Sequence, residues 1–340
     1  ATSKDGELAT IRPQRVVLLT GSRGFTGYYV RQTLQAAGYR VVGLVRDDPV
    51  GSDEIAGNLT DAQRLREVVA KVQPTHVVHL AAISFANHQD AAALYRVNLF
   101  GTLNLLDALI AERAPVQKVV LSSSATVYGG TKGSPMTESA TPAPINHYAL
   151  TKLAMEHMAR TRLDDLPIVL TRPFNYTGAG QNENFLVPKI VGHCQRGEAR
   201  IRLGNMDVVR EFNDVRRVAQ AYLGLLERCP AGETVNICSG RGHRVSDVVD
   251  LLRALSGNPI TVDVDLSLVR AIDAKCLIGD PAKLYATVGA LPDYALEETL
   301  SWMLADPLHS YGLKRAADAA CPMKPLAPER RRYPSKGRGC

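Results

Sequence analysis

The chain has 340 residues, of which 45% are hydrophobic and 22% charged, and its formal net charge is +6. This length suffices for one large domain or two modest ones, and no apolar run approaches the roughly 20 residues that span a bilayer. The excess positive charge lies in residues 311–340, which hold eight basic and two acidic residues. We therefore predict a neutral folded body that binds neither nucleic acid nor membrane, between flexible tails at residues 1–13 and 311–340.

The glycine-rich segment T-G-S-R-G-F-T-G at residues 20–27 follows a short apolar strand at residues 15–19 and precedes a helical pattern. This strand–turn–helix context is the one in which spaced glycines bind a dinucleotide. Gly21 permits the tight turn, Gly24 lets the backbone approach phosphate, and Gly27 lets the helix pack close to the strand. The N-terminus of the helix then offers free N–H groups and its positive dipole end to the pyrophosphate.

The second strand ends at Val45, where a dinucleotide with a free ribose 2′-hydroxyl usually meets an Asp or Glu. Here Arg46 follows, and Arg23 lies in the glycine turn itself. Two guanidinium groups suit a 2′-phosphate, because they can bind it bidentately. We therefore predict NADP, as NADPH, for the cofactor. Asp47 and Asp48 come next and leave NAD as the alternative.

Three further strands are predicted at residues 75–82, 118–121 and 168–171, and helices alternate with them along the chain. Residues 97–106 form one of these helices and have a strong apolar face. Strands that alternate with helices over residues 15–172 indicate an α/β fold with a doubly wound parallel sheet.

Neither the cysteines nor the histidines form a metal-binding pattern. The six cysteines include no C-x-x-C pair, so free thiols in a reducing cytoplasm are the simple interpretation. His76 and His79 lie in the third strand, where we expect packed or surface side chains and not ligands. The prediction is a cytoplasmic protein without a metal.

Tyr148 and Lys152 are four residues apart, so on a helix they share one face. An ammonium group beside a phenol favours the phenolate, and we therefore expect a lowered pKa for Tyr148 that suits acid–base catalysis. The serines at residues 122–124 follow a strand and can hold a substrate oxygen in line with that proton. Together with the glycine turn, this pattern indicates redox chemistry on an alcohol or a ketone.

The chain resembles the extended short-chain dehydrogenases/reductases that act on nucleotide sugars. The resemblance runs from about residue 14 to about residue 305 and rests on residues 20–27, 80–82, 98–102, 122–129, 148–152 and 172–175. It implies a Rossmann domain at residues 14–174. It also implies a smaller C-terminal substrate-binding domain at residues 175–310, parts of which return to the first domain.

The same resemblance implies a role for each matching residue. Ser124, Tyr148 and Lys152 form the implied catalytic set, in which Tyr148 carries the proton and Lys152 also holds the nicotinamide ribose. The other implied cofactor-binding residues are Gly21, Arg23, Gly24, Phe25, Thr26, Gly27, Arg46, Asn58, Leu59, Leu80, Ala81, Ala82 and Asn98. The implied substrate-binding residues are Ser84, Ser124, Thr126, Asn175, Lys189, Arg210, Arg270 and Asp273.

Within this family, residues 203–215, 236–240 and 277–284 are similar to the enzymes of GDP-sugars, and the whole chain most resembles the GDP-4-keto-6-deoxy-mannose reductases. Dehydratases of GDP-mannose typically carry a Glu at the position of Thr126. A threonine hydroxyl is far too weak an acid to replace that carboxylate. Arg270 departs from the usual R-P-x-E pattern, because R-A-I-D stands there.

These observations predict an NADPH-dependent reductase of the C4 ketone of a GDP-linked 4-keto-6-deoxyhexose, with a rhamnose-type or talose-type product. The segment S-A-T at residues 124–126 also resembles the 4-epimerases, which would hold NAD tightly. A non-enzymatic dinucleotide sensor is the third possibility, although it has no need of the catalytic set. Helices around residues 98–108 and 148–162 have broad apolar faces, and in this family such helices pair as a four-helix bundle, so we predict a homodimer.

Overall fold

The computed structural model describes residues 15–85, 90–129, 133–268 and 275–305. Its strands are β1 (Val16–Thr20), β2 (Arg40–Val45), β3 (Glu54–Ala56), β4 (His76–His79), β5 (Lys118–Ser122), β6 (Ile168–Pro173), β7 (Tyr176–Thr177), β8 (Arg200–Leu203), β9 (Val209–Arg210), β10 (Asn213–Asp214), β11 (Thr234–Ile237), β12 (His243–Arg244), β13 (Thr261–Val264) and β14 (Cys276–Leu277). Its α-helices are α1 (Phe25–Ala36), α2 (Ala62–Val72), α3 (Ala91–Leu94), α4 (Gly101–Ala111), α5 (His147–Arg160), α6 (Leu186–Gln195), α7 (Val215–Arg228), α8 (Val245–Ser256), α9 (Ala282–Val288) and α10 (Leu296–Ala305).

Seven strands form one sheet in the order β11-β6-β5-β4-β1-β2-β3, and each neighbouring pair is parallel. Strands β1 to β6 read as apolar because both sheet faces are covered, as parallel strands require. The order runs outward in both directions from the junction of β1 and β4, which is a doubly wound topology. The predicted fold class is therefore confirmed.

Separate apolar cores lie on the two faces of this sheet. On one face Val30, Leu34, Val218 and Leu225 of α1 and α7 are buried in a single cluster with residues of the sheet. On the other face, α2, α4 and α5 cover the strands with side chains such as Leu106. Because helices cover both faces of the sheet, only the ends of the strands are free, and binding groups collect at their carboxyl ends.

The later part of the chain builds a smaller lobe with its own core. Strands β8 and β13 pair in parallel, and α6, α8 and α10 bury Ile190, Val248 and Leu300 in one cluster with them. Between these elements, β11 returns to the edge of the large sheet beside β6. The chain therefore returns from the smaller lobe to the large sheet through β11.

The element bounds differ from the sequence prediction by a few residues, except at one helix. Residues 97–106 were predicted as a regular helix, whereas the structure inserts a π-helical segment, Tyr95–Phe100, between α3 and α4. A π segment adds a residue to the turn, and such segments are frequent at functional sites. Within the described ranges, no helix is long and apolar enough to cross a membrane.

Candidate active site

The carboxyl ends of four strands meet at one edge of the sheet. The register pairs Thr20 with His79 and His79 with Leu121, and Ser122 with Thr171 one strand further along. The glycine turn after β1, the loop after β4, Ser124 after β5 and Asn175 after β6 therefore leave the sheet side by side. Ligands bind at this edge in open α/β sheets.

The glycine turn is shaped by positions that exclude a side chain. Gly21 has φ +71°, and a Cβ there would lie 2.9 Å from the backbone nitrogen of Ala81. A Cβ on Gly27 would lie 2.0 Å from the carbonyl oxygen of Gly21. Helix α1 begins directly after Gly24, and no side chain caps its first turn. Its N-terminal N–H groups are thus available to an anion such as a pyrophosphate.

Two buried hydroxyls next to this edge fit a cofactor that completes the site. Among the described residues, only the Oγ atoms of Ser22 and Ser123 are buried without a hydrogen-bond partner. Ser22 lies in the glycine turn and Ser123 follows β5. Buried polar groups are nearly always satisfied in folded proteins. The turn, the free helix N-terminus and these hydroxyls together fit a dinucleotide.

Ser124 lies close enough to Tyr148 for its hydroxyl to lower the pKa of the phenol. The Oγ of Ser124 accepts hydrogen bonds from Oγ1 of Thr126 at 2.9 Å and from the Thr126 backbone N–H at 3.2 Å. A hydroxyl has two lone pairs and one proton. Because Thr126 occupies both lone pairs, Ser124 donates its own proton towards Tyr148 or towards a substrate oxygen in that place.

The expected lowering of the Tyr148 pKa is wrong for this state of the protein. Burial raises the pKa of Tyr148 to about 12, and the hydrogen bond from Ser124 opposes this only in part. The Nζ of Lys152 instead donates to the carbonyl oxygen of Ser122 at 2.8 Å, and burial lowers the pKa of Lys152 to about 8. Helix spacing predicted that Tyr148 and Lys152 share one face of α5. It could not predict that the Lys152 ammonium group would donate to a carbonyl oxygen of β5.

Asn98 lies in the π-helical segment and is 1% exposed. Its Nδ2 donates to the carbonyl oxygen of Ile83 at 3.1 Å, and its Oδ1 accepts from the Ile83 N–H at 2.8 Å. Nδ2 also reaches Oγ1 of Thr151 on α5 at 3.3 Å. Asn98 therefore fixes the loop after β4 against the helix that carries Tyr148.

His79 and His76 are packed residues, as predicted. Both are buried, and His79 lies between Oγ1 of Thr20 at 2.8 Å and Oγ1 of Thr102 at 2.9 Å. Burial lowers the pKa of His79 to about 3, so its ring is neutral. Within the described residues no group of His, Cys, Asp and Glu could hold a metal ion.

A buried ion pair anchors α5, the helix that carries Tyr148 and Lys152. Arg172 on β6 donates to both carboxylate oxygens of Glu156 on α5, at 2.9 and 2.7 Å, and to the hydroxyl of Tyr128 at 2.9 Å. The Tyr128 hydroxyl donates to Oδ1 of Asn236 on β11 at 2.8 Å. Glu156 is two turns beyond Tyr148, and Tyr128 ends the short helix that follows Ser124. These contacts hold both catalytic segments in one register.

The predicted cofactor residues near the second strand differ in their exposure and in their contacts. Arg46 is exposed after β2. Arg23, in contrast, binds the carboxylate of Glu54 through Nη2–Oε2 at 2.6 Å and Nε–Oε1 at 3.1 Å. Asn58 is exposed, and Leu59 is buried beside Gly101. The small residues after β4 remain partly exposed at the strand edge; they are Leu80, Ala81 and Ala82.

The predicted substrate residues divide between two regions. Ser84 and Asn175 are exposed at the strand edge, where Thr126 is half-buried. Lys189 lies on α6, where its Nζ donates to the carbonyl oxygen of Arg202 at 2.7 Å. Arg210 lies on β9 and donates to the carbonyl oxygen of Val209 at 2.8 Å. The predictions for Arg270 and Asp273 fall outside the described residues.

Sequence reasoning missed Tyr176, which contacts the glycine turn from the segment after β6. Its hydroxyl shares a 2.7 Å hydrogen bond with Oγ1 of Thr26 in the glycine turn, and its ring stacks on Phe25 with centroids 6.1 Å apart. Tyr176 directly follows the R-P-F-N segment that the sequence analysis used. The signal available in the sequence was an aromatic residue directly after that segment.

Comparison with known proteins agrees with this geometry. Residues 17–238 match the model of the NAD dependent epimerase/dehydratase family. The chain belongs to this family, as its motifs predicted.

Two curated relatives modify GDP-sugars according to their names. The GDP-6-deoxy-D-talose 4-dehydrogenase of Aggregatibacter actinomycetemcomitans is 34% identical, over 80% of this chain and 91% of that protein. The GDP-6-deoxy-D-mannose reductase of Pseudomonas aeruginosa is 32% identical, over 68% of this chain and 80% of that protein.

Two solved structures share the whole architecture. A putative epimerase from Burkholderia cenocepacia is 44% identical with a TM-score of 0.80, over 86% of this chain and 98% of that chain. The structure of RMD from Pseudomonas aeruginosa, complexed with NADPH, is 28% identical with a TM-score of 0.76, again over 86% and 98%. The similar proteins thus include both reductases and epimerases, and the shared fold alone does not distinguish these two activities.

Proposed function

We propose that this protein is an NADPH-dependent reductase of the C4 ketone of a GDP-linked 4-keto-6-deoxyhexose, which yields a GDP-6-deoxyhexose. The observation that carries the proposal is the pair of hydrogen bonds by which Thr126 holds Ser124 beside Tyr148. The names of the two curated GDP-sugar relatives support the substrate class. The neighbour that is complexed with NADPH supports the cofactor class.

The site residues account for the protonation of a ketone. A bound dihydronicotinamide supplies the hydride for C4. The Ser124 hydroxyl donates to the ketone oxygen, because Thr126 occupies its lone pairs. Tyr148, which burial keeps protonated with a pKa of about 12, delivers its proton to the same oxygen as negative charge develops there. Lys152 lies one helical turn away and is available to the ribose hydroxyls and to the phenolate that remains.

Thr126 argues against dehydration as the main reaction. Elimination of water across C5–C6 needs a proton carrier of moderate acidity beside the sugar. The hydroxyl of Thr126 is neutral and is already committed as a donor to Ser124. Reduction needs only a hydride from the dihydronicotinamide and the proton of Tyr148.

Substrate contacts beyond the reacting carbon are proposals of the same kind. Asn175 is exposed after β6 and can bind the sugar or its phosphate, and Ser84 is exposed in the loop after β4. Lys189 and Arg210 are the proposed pyrophosphate ligands. Nζ of Lys189 donates to one backbone carbonyl and keeps further N–H groups for a pyrophosphate.

The test is incubation with GDP-4-keto-6-deoxymannose and NADPH, followed at the nicotinamide absorbance. We expect one NADPH consumed for each keto sugar converted. A nucleotide-sugar 4-epimerase, which the similarity to a putative epimerase favours, would isomerise the sugar without net loss of cofactor. A dinucleotide sensor would bind NADPH and convert nothing.

We also propose a homodimer through α4 and α5. Three apolar side chains on this face are exposed, namely Phe100 at 55%, Leu150 at 44% and Met158 at 40%. Leu150 and Met158 are eight residues apart on α5, so they lie on one face of that helix. Paired helices from two copies would bury all three, and a two-fold dimer is the commonest closed assembly.

A further inference from the structure

The side chain of Arg23 is held by a carboxylate. Its guanidinium makes two parallel contacts to Glu54, Nη2–Oε2 at 2.6 Å and Nε–Oε1 at 3.1 Å, and also donates to the carbonyl oxygen of Asp48 at 2.7 Å. The Glu54 side chain is only 6% exposed. The backbone N–H of Val50 donates to it at 2.7 Å, and Arg31 lies 3.7 Å away. Glu54 is thus fixed on several sides.

This pair lies where the adenosine ribose of a dinucleotide belongs. Arg23 is part of the glycine turn, Asp48 follows the carboxyl end of β2, and that strand end meets the ribose in dinucleotide-binding sheets. The surroundings of the guanidinium are acidic: Glu54, Asp47 and Asp48 all raise the pKa of Arg23. A 2′-phosphate dianion therefore meets carboxylates as well as cations here.

The two forms of the cofactor place different demands on the pair. A 2′-phosphate gains most from a guanidinium that it can bind bidentately. Glu54 and Asp48 take the Nε and Nη2 donors of Arg23, so a phosphate meets Nη1 alone unless it draws Arg23 away from the carboxylate. A 2′-hydroxyl carries no charge and needs one neutral hydrogen bond. Its binding leaves the ion pair intact.

We propose that Glu54 determines cofactor specificity: by holding Arg23, it limits the preference for NADPH over NADH and leaves Arg46 as the main partner of a 2′-phosphate. The proposal rests on the proposed function only in that a nicotinamide dinucleotide binds at the glycine turn. Glu54 is a positioning residue in this account, because it acts through Arg23 and not through contact with the cofactor.

The test compares dissociation constants of NADPH and NADH, measured by fluorescence titration without sugar, for wild type, Glu54→Gln and Asp53→Asn. We expect Glu54→Gln to increase the ratio of the NADH constant to the NADPH constant about tenfold or more. Asp53→Asn removes the same charge one residue away. Asp53 pairs with Arg31 at 3.8 Å and is 53% exposed, so its loss should change the ratio less than about threefold, as expected for screened surface charges.

The double variant Arg23→Met with Glu54→Gln gives a second measurement, because it removes both charges of the pair and leaves no bare carboxylate beside the phosphate. It should bind NADPH within about threefold of wild type, and it should lose the gain in NADPH affinity that Glu54→Gln alone produces.

An unchanged ratio in Glu54→Gln, an equal rise in Asp53→Asn, or a tenfold loss of NADPH affinity in the double variant Arg23→Met with Glu54→Gln would each overturn this inference and leave the proposed function standing. Failure of the wild type to bind either dinucleotide would overturn the proposed function, and this inference with it.

Discussion

Thr126→Val should slow reduction by releasing the Ser124 hydroxyl. Valine has nearly the shape of threonine but lacks the O–H that donates to Ser124 Oγ at 2.9 Å. One lone pair of Ser124 then becomes free, so its hydroxyl can rotate and accept a hydrogen bond from Tyr148 instead of donating one. A neutral hydrogen bond contributes about 0.5–1.5 kcal/mol net, which corresponds to a loss of about 2- to 13-fold in kcat.

The assay is steady-state NADPH oxidation with the keto sugar, together with NADPH affinity measured separately. Thr126→Ser is the matched control: it keeps the O–H and should retain kcat within about twofold. Cofactor affinity should stay unchanged in both variants, since the Thr126 hydroxyl contacts Ser124 and not the glycine turn. If Thr126→Val keeps wild-type kcat, or if Thr126→Ser falls as far as valine, the argument about the lone pairs of Ser124 is refuted.

Four other outcomes are expected. Tyr148→Phe should lose about a hundred- to ten-thousand-fold in kcat but keep its NADPH affinity; near-normal turnover would exclude Tyr148 as the acid. Arg46→Met should weaken NADPH binding about tenfold or more and NADH binding little, as charge-assisted hydrogen bonds contribute about 1.5–3 kcal/mol; equal losses would contradict the assignment. Leu150→Glu with Met158→Glu should give a monomer by light scattering, whereas a persistent dimer would place the interface elsewhere. Because burial lowers the Lys152 pKa to about 8, the folded protein binds fewer protons than the unfolded chain from about pH 8 to 10.4, so wild-type stability in urea should rise over this window by roughly 3 kcal/mol relative to Lys152→Met; parallel pH profiles would show that Lys152 is not desolvated.

Local features of the site could be predicted from the sequence. The glycine turn and the spacing of Tyr148 and Lys152 depend on neighbours within eight residues, and the structure places both as the pattern requires. The apolar runs also predicted β1, β4 and β5 as elements of one parallel sheet, which the structure shows. Ser124 therefore reaches Tyr148, although 24 residues separate them in the chain.

Contacts between distant segments could not be predicted. Arg23 and Glu54 are 31 residues apart, and no motif links an arginine of the turn to the edge strand β3. The pKa of Tyr148 depends on its burial and on the carbonyl that holds Lys152, neither of which helix spacing specifies. The π segment around Asn98 has the same origin, because its geometry is stabilised by Ile83 in another loop.

The most direct test of the central claim follows the hydride itself. NADPH deuterated at the transferable position of the dihydronicotinamide is incubated with GDP-4-keto-6-deoxymannose, and the sugar product is analysed by mass spectrometry and proton NMR. The proposed reaction predicts one deuterium at C4 for each NADPH consumed. A converted sugar without deuterium, or no conversion while NADPH binds, would contradict the assignment of this protein as a C4 reductase.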